Sequence, residues 1–181
     1  MRSKKRTVVV AHTPACESEA LLAIDPGLGG TGWALFAKGR SVPYQTGVIH
    51  CRKATWAWWA RANAIAMDLG NTVGIGWHDH AMVVSEFPMQ MQSAAGIATQ
   101  KDSGIYKLAF LVGLIRAEFK YAAFRPVTPQ EWKGQLPKDV VIHRIRRSLG
   151  LKATQHLGIK THAWDAVGIG LWARGNKEFW R

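Results

Sequence analysis

Apolar residues fall along this chain in short continuous runs and in longer helical repeats, and their order predicts the fold. Ala20-Leu21-Leu22-Ala23-Ile24-Asp25 is apolar until its last residue and meets Pro26-Gly27, which predicts a buried strand over 20–25. After Gly29-Gly30, alternation in Thr31-Gly32-Trp33-Ala34-Leu35-Phe36 predicts a second strand. Lys38-Gly39-Arg40 then reads as a turn into a third strand over residues 44–50. Such short connections give three antiparallel strands in succession.

Residues 53–70 lack Gly and Pro until Gly70 and carry Trp56, Trp59, Ala60, Asn63, Ile65, Ala66 and Met67, which predicts a helix stopped at Gly70-Asn71. Ala81-Met82-Val83-Val84-Ser85-Glu86 is a short apolar strand ending in a carboxylate, with Pro88 blocking continuation. Residues 103–120 predict a helix with Ile105, Leu108, Ala109, Leu111, Val112 and Ile115 on one broad face. Gly104, Ala109 and Gly113 give that helix small positions where a neighbour could approach. A fifth strand is expected over Phe124–Thr128, a helix over 138–149, and a last helix from Thr161, as N-cap, to about Ala173. The whole predicts one α/β domain over 20–181, a five-stranded mixed sheet (three antiparallel strands, then two parallel) flanked by helices, preceded by a basic leader over 1–19.

Composition narrows the function. The 181 residues suit one domain, and 48% of them are apolar, enough for a packed core. No run of about 18 apolar residues is present, so no membrane span is expected. The apolar run Thr7–Val10 after Arg2, Lys4, Lys5 and Arg6 breaks at His12 and Pro14, too early for a signal peptide, and reads as a basic arm. Two cysteines, Cys16 and Cys51, without metal-ligand spacing, suit a reduced intracellular protein, which places it in the cytoplasm. The formal net charge of +12 and pI of about 10.2 point to a polyanionic partner. Most of the nine tryptophans should be core or interface residues.

Against this basic background three acids stand out. Asp25 and Glu86 end predicted buried strands, where ligand sites of α/β sheets gather. Asp165 lies in the first turn of the last helix, three residues after His162 on a face that continues through Ile169 and Trp172. Taken singly, each has a structural explanation: a turn start for Asp25, a surface acid for Glu86, a helix-dipole partner for Asp165, a helix-start histidine for His162. Taken together, clustered carboxylates repel one another unless a divalent cation lies between them. Mg²⁺ suits such oxygen donors and keeps waters for a phosphate substrate. Two ions about 3.5–4 Å apart could support in-line displacement at phosphorus, and a histidine in the set would make Mn²⁺ a plausible substitute or would move protons.

Ile24-Asp25-Pro26-Gly27 with Thr31-Gly32-Trp33, then Val84-Ser85-Glu86, then the segment from His162 to Gly170, resemble the RuvC-like Holliday junction resolvases of the RNase H-like (retroviral integrase) superfamily. The likeness runs from about Leu21 to Ala173, and the segment from Phe124 to Pro129 with Trp132-Lys133-Gly134 looks like the family's fifth strand and basic loop. It implies a metal site of Asp25, Glu86 and Asp165, with His162 where many members have an aspartate. It also implies a homodimer that nicks two strands of a four-way DNA junction symmetrically, without a small-molecule cofactor. The helix over 103–120 is the expected dimer element. An apolar residue after Glu86 would wedge the crossover: Met89 or Met91 ahead of Phe87, whose place beside Glu86 suggests burial. Lys101, Lys107, Lys133, Lys138, Arg144, Arg146 and Arg147 are candidate DNA contacts.

Other readings remain open on these residues. Another RNase H-like nuclease would use the same carboxylates on a different polymer. An actin-like ATPase would share the Gly-rich hairpin after Asp25 but needs two such domains. A catalytically inactive architectural DNA-binding protein would keep only the basic surface.

Overall fold

The computed structural model describes residues 19–51, 55–74, 81–88, 104–150, 154, 155, 157–159 and 161–175. The leader up to Glu17-Ser18, Met89, Met91 and Lys101 lie outside the described residues. Five strands form one sheet: β1 (Ala20–Asp25), β2 (Thr31–Phe36), β3 (Gln45–Ile49), β4 (Ala81–Glu86) and β5 (Ala123–Val127), in the spatial order β3-β2-β1-β4-β5. β1–β2 and β2–β3 pair antiparallel, while β1–β4 and β4–β5 pair parallel. The expected mixed sheet is therefore present. Pro126 is tolerated within β5 because that strand is an edge, where a missing N–H costs no ladder bond.

Helices cover both faces. α1 (Trp58–Val73) and α2 (Gly104–Glu118) bury Ile65, Leu69, Leu111 and Ile115 against Leu22, Ile24, Leu35 and Val83. The short α3 (Pro129–Trp132), α4 (Lys138–Leu149) and α5 (Thr161–Ala173) cover the other face, where Leu21, Ala23, Phe36 and Val84 point. Strand alternation makes this division automatic: neighbouring residues on one strand supply opposite cores.

Three expectations need correction. α1 does not stop at Gly70-Asn71 but continues to Val73 and ends at Gly74, whose φ of +87° turns the chain out of the helix. Gly70 is buried inside the helix because a Cβ there would collide with the Glu118 side chain of α2, so this glycine serves packing. The last helix has no single apolar face, since every residue from Ala163 to Ala173 is buried, and Thr161 is its first helical residue. The chain after β5 also holds a helix not expected from periodicity. α3 is closed by a capping box in which Glu131 N–H donates to Thr128 Oγ1 and the Glu131 carboxylate accepts from the Thr128 backbone.

α5 lies close on the sheet because the sequence removes side chains beneath and along it. A Cβ on Gly32 would overlap the His162 carbonyl, and one on Gly170 would overlap the Phe36 ring. Gly32 is the β2 partner of Asp25. The start of α5 is thus seated directly beside the end of β1.

Candidate active site

The parallel register puts Ile24 opposite Ser85, so Asp25 and Glu86, each one residue on, end adjacent strands. Both share the face that α5 covers, each two residues beyond Ala23 or Val84 of that core. Asp165, in the first turns of α5, is buried to 9% exposure and completes the group from above. The electrostatics record the proximity. Burial, then the charges of Glu86 and Asp165, push the Asp25 carboxyl up to about 8, against a smaller opposing pull from Lys133 and Lys138. Glu86 is also raised, by burial first and by Asp165, while a hydrogen bond from Trp132 and the Lys133 charge oppose the shift.

Two expected DNA-contacting lysines turn inward to this edge. Lys138 Nζ, at the start of α4, lies 3.1 Å from Asp165 Oδ2 and forms a hydrogen-bonded ion pair with it. Lys133 Nζ lies 3.9 Å from Glu86 Oε2. Among the described residues no three His, Cys, Asp or Glu side chains are gathered as a ready metal-binding group. The donor chemistry nevertheless fits a hard cation: two carboxylates raised by burial and by neighbouring acids, and a third paired to an exposed ammonium that another cation could replace. Asp25, Glu86 and Asp165 are the residues that would hold it.

His162, the fourth expected member, lies three residues before Asp165. It is exposed at the start of α5, and its ring borders Gly30 and makes an edge contact with His50, centroids 6.5 Å apart. His50 was not anticipated from the sequence, because it follows β3 in an ordinary polar stretch. It helps to fix the loop after Asp25, whose successive carbonyls are each held by a side chain. Thr31 Oγ1 donates to Gly27 O at 3.0 Å, Arg61 donates to Leu28 O at 2.7 Å, and His50 Nδ1 lies 3.1 Å from Gly29 O. Trp132 was likewise missed as a site residue, although Thr128-Pro129-Gln130-Glu131 carries the capping-box spacing that holds it in place.

The remaining candidates lie further out. Phe87 follows Glu86 and is 39% exposed, which removes the ground for ranking it behind the methionines. Lys107 is half-buried on α2, across the sheet from the carboxylates. Arg144, Arg146 and Arg147 line α4; the Arg146 guanidinium sits 5.3 Å over the Trp164 ring. Arg146 and Arg147 border an open groove of about 580 Å³ with His143, Gly150 and Thr154. Among the described residues no helix is long and apolar enough to cross a membrane.

No family profile and no curated sequence matches the chain. Solved structures do. Thermus thermophilus RuvC superposes with a TM-score of 0.63 at 19% identity, over 84% of this chain and 92% of that one. T. thermophilus RuvC in complex with a Holliday junction substrate gives a TM-score of 0.58 at 16% identity, over 85% and 91%. The yeast mitochondrial Holliday junction resolvase Ydc2 gives 0.56 at 14%, over 90% and 80%. Together with the mixed five-stranded sheet and its flanking helices, these superpositions establish that the chain has a RuvC-like, RNase H-like fold.

Proposed function

We propose that the protein is a divalent-metal-dependent endonuclease that resolves four-way DNA junctions by paired, symmetric nicking. The observation that carries this reading is the meeting of Asp25, Glu86 and Asp165 at one sheet edge, where burial and the neighbouring acids raise the Asp25 and Glu86 carboxyls, in a chain of net charge +12. Repulsion of this kind is tolerable at neutral pH when a cation is bound, and a basic protein has little other reason to bury acids together. The likeness to resolvases of known structure supports the choice of substrate.

Asp25, Glu86 and Asp165 would hold Mg²⁺, with two ions expected and Mn²⁺ as a substitute. Such an ion, when bound, would supply activation of a water nucleophile and stabilisation of charge on the leaving 3′ oxygen. The chain's own residues bind and orient the DNA. Lys133 and Lys138, half-buried and exposed at the edge of the site, attract the scissile phosphate by their charge. Arg144, Arg146 and Arg147 hold a duplex arm along α4, and exposed Phe87 is positioned to stack at the crossover. His162 and His50 border the Gly-rich loop and contact or protonate the departing strand.

Paired cuts require two sites related by a two-fold axis, so the protein acts as a homodimer. The exposed aromatic face of α1 and α2 supports that assembly, with Phe110 packed edge-on to Trp58 at 5.3 Å. The test is cleavage of a synthetic four-way junction with Mg²⁺ or Mn²⁺. Paired nicks that vanish in Asp25→Asn are expected. Tight junction binding with no cutting under either metal would leave an architectural DNA-binding protein. Equal cutting of linear duplex or RNA–DNA hybrid would leave a nuclease without junction selectivity.

A further inference from the structure

We propose that Trp132 is a positioning residue that sets the place of the Glu86 carboxylate relative to Asp165, an inference that rests on the metal-site reading above. Its indole Nε1–H donates to Glu86 Oε2 at 2.7 Å, and the side chain is fully buried. The other side of the ring meets α5 at Gly168, where a Cβ would come within 2.6 Å of the ring's ζ3 carbon. Gly168 lies three residues beyond Asp165, one helical turn along α5. The indole thus spans the gap between one proposed ligand and the backbone that carries another. It is itself held by α3, whose capping box and first-position Pro129 fix the turn on which it stands.

The chemistry of this contact differs from that of the neighbouring lysine. Lys133 approaches the same oxygen at 3.9 Å and adds a positive charge, so it competes with a cation for Glu86. An indole N–H is a neutral donor with no acceptor function. It fixes the orientation of the carboxylate and leaves its negative charge available to a metal. Partners of this kind, which touch a ligand and not the ion, typically alter metal affinity by about 10- to 100-fold when removed. The plain alternative is that a buried indole needs some acceptor and Glu86 happens to serve. The two differ in what is lost: under the alternative, stability falls while metal affinity does not.

The experiment is a Mn²⁺ titration of the full chain followed by electron paramagnetic resonance, on the wild type, Trp132→Phe, Glu86→Gln and the double variant. Phe keeps an aromatic ring and removes the donor. A loss of Mn²⁺ affinity of about tenfold or more in Trp132→Phe, absent when the change is made in the Glu86→Gln background, is the expected result. Unchanged affinity in a folded Trp132→Phe protein overturns the proposal and leaves the metal site standing. A wild type that binds no Mn²⁺ overturns the metal-site reading and this inference with it. Should Trp132→Phe fail to fold, the indole N–H resonances of the wild type and Glu86→Gln still decide. One of nine indole N–H resonances should move both on Glu86→Gln and on Mg²⁺ addition, and no such resonance means no such contact.

Discussion

On one face of the sheet, α5 is buried at every position from Ala163 to Ala173, whereas on the other face α1 and α2 leave Trp59, Met67, Tyr106 and Phe110 in solvent. Both layers are apolar and both pack on the same five strands. They differ in what glycine does. On the α5 face, Gly32, Gly168 and Gly170 are filled by a carbonyl, an indole and a phenyl ring, so the helix has one seating. On the other face, Gly70 is filled by the Glu118 side chain between α1 and α2, but Gly104 and Gly113 meet nothing within 4 Å. The first layer is closed and holds Asp165 against the strand ends. The second has unused apolar surface, with Tyr106 73% and Trp59 58% exposed. The contrast suggests a division of labour, chemistry on the closed layer and assembly on the open one.

The sharpest way to break that division is Asp25→Asn. Junction cleavage should fall by about 10³-fold, the scale seen when a group that stabilises transition-state charge is removed. Junction binding and sedimentation should stay as in the wild type. Loss of dimerisation in this variant would show that the layers are not separable. The complementary change is Phe110→Lys, which puts a charge beside Trp58 on the open layer. Self-association, followed by sedimentation velocity, should weaken by about tenfold or more. The two nicks of one junction should then become uncoupled in time, while metal affinity stays put.

The acid edge also carries its own pH signature. Burial and the neighbouring acids push the Asp25 carboxyl up to about 8 in the folded chain, against its ordinary 3.8 when unfolded. Between those values the folded state holds a proton that the unfolded state has released. Metal-free stability must therefore fall as pH rises from about 4 to about 8, with a slope of at most about 1.4 kcal/mol per pH unit for one proton. Glu86 is shifted in the same direction and adds to the trend. The measurement is the melting temperature in chelator for wild type and Asp25→Asn. The two should agree near pH 4 and diverge towards pH 8, with the variant higher, and parallel curves would sink the assignment. Added Mg²⁺ should narrow the gap.

Much of this could be read from the amino-acid order, and the exceptions have physical causes. Strands such as 20–25 and 81–86 were legible because a buried strand must be apolar and must end where a carboxylate and a turn appear. The end of α1 was misjudged because Gly70 looks identical whether it stops a helix or admits the Glu118 side chain of a neighbour. The acids were visible as outliers in a basic chain. Trp132 was not, since the capping-box spacing before it marks a turn without telling which acid the indole N–H will meet. His50 needed the β2–β3 pairing to bring it near His162, a relation of register that periodicity does not encode.

The smallest effects test the two layers against each other directly. Gly32→Ala forces a methyl group into the His162 carbonyl, which must lift the start of α5 from the sheet. Overpacking of this kind costs about 1–3 kcal/mol, or very roughly 2–12 °C in melting temperature for a chain of this size. Gly113→Ala places the same methyl group in open space on α2. There it should stabilise the monomer by up to about 1 kcal/mol, because alanine gives up less backbone entropy than glycine in a helix. If α2 meets a second copy closely at Gly113, the same variant should melt higher when dilute yet associate more weakly. That split between stability and association would fix the open layer as the dimer face. A Gly113→Ala protein that both melts and associates like the wild type would move the interface off this stretch of α2.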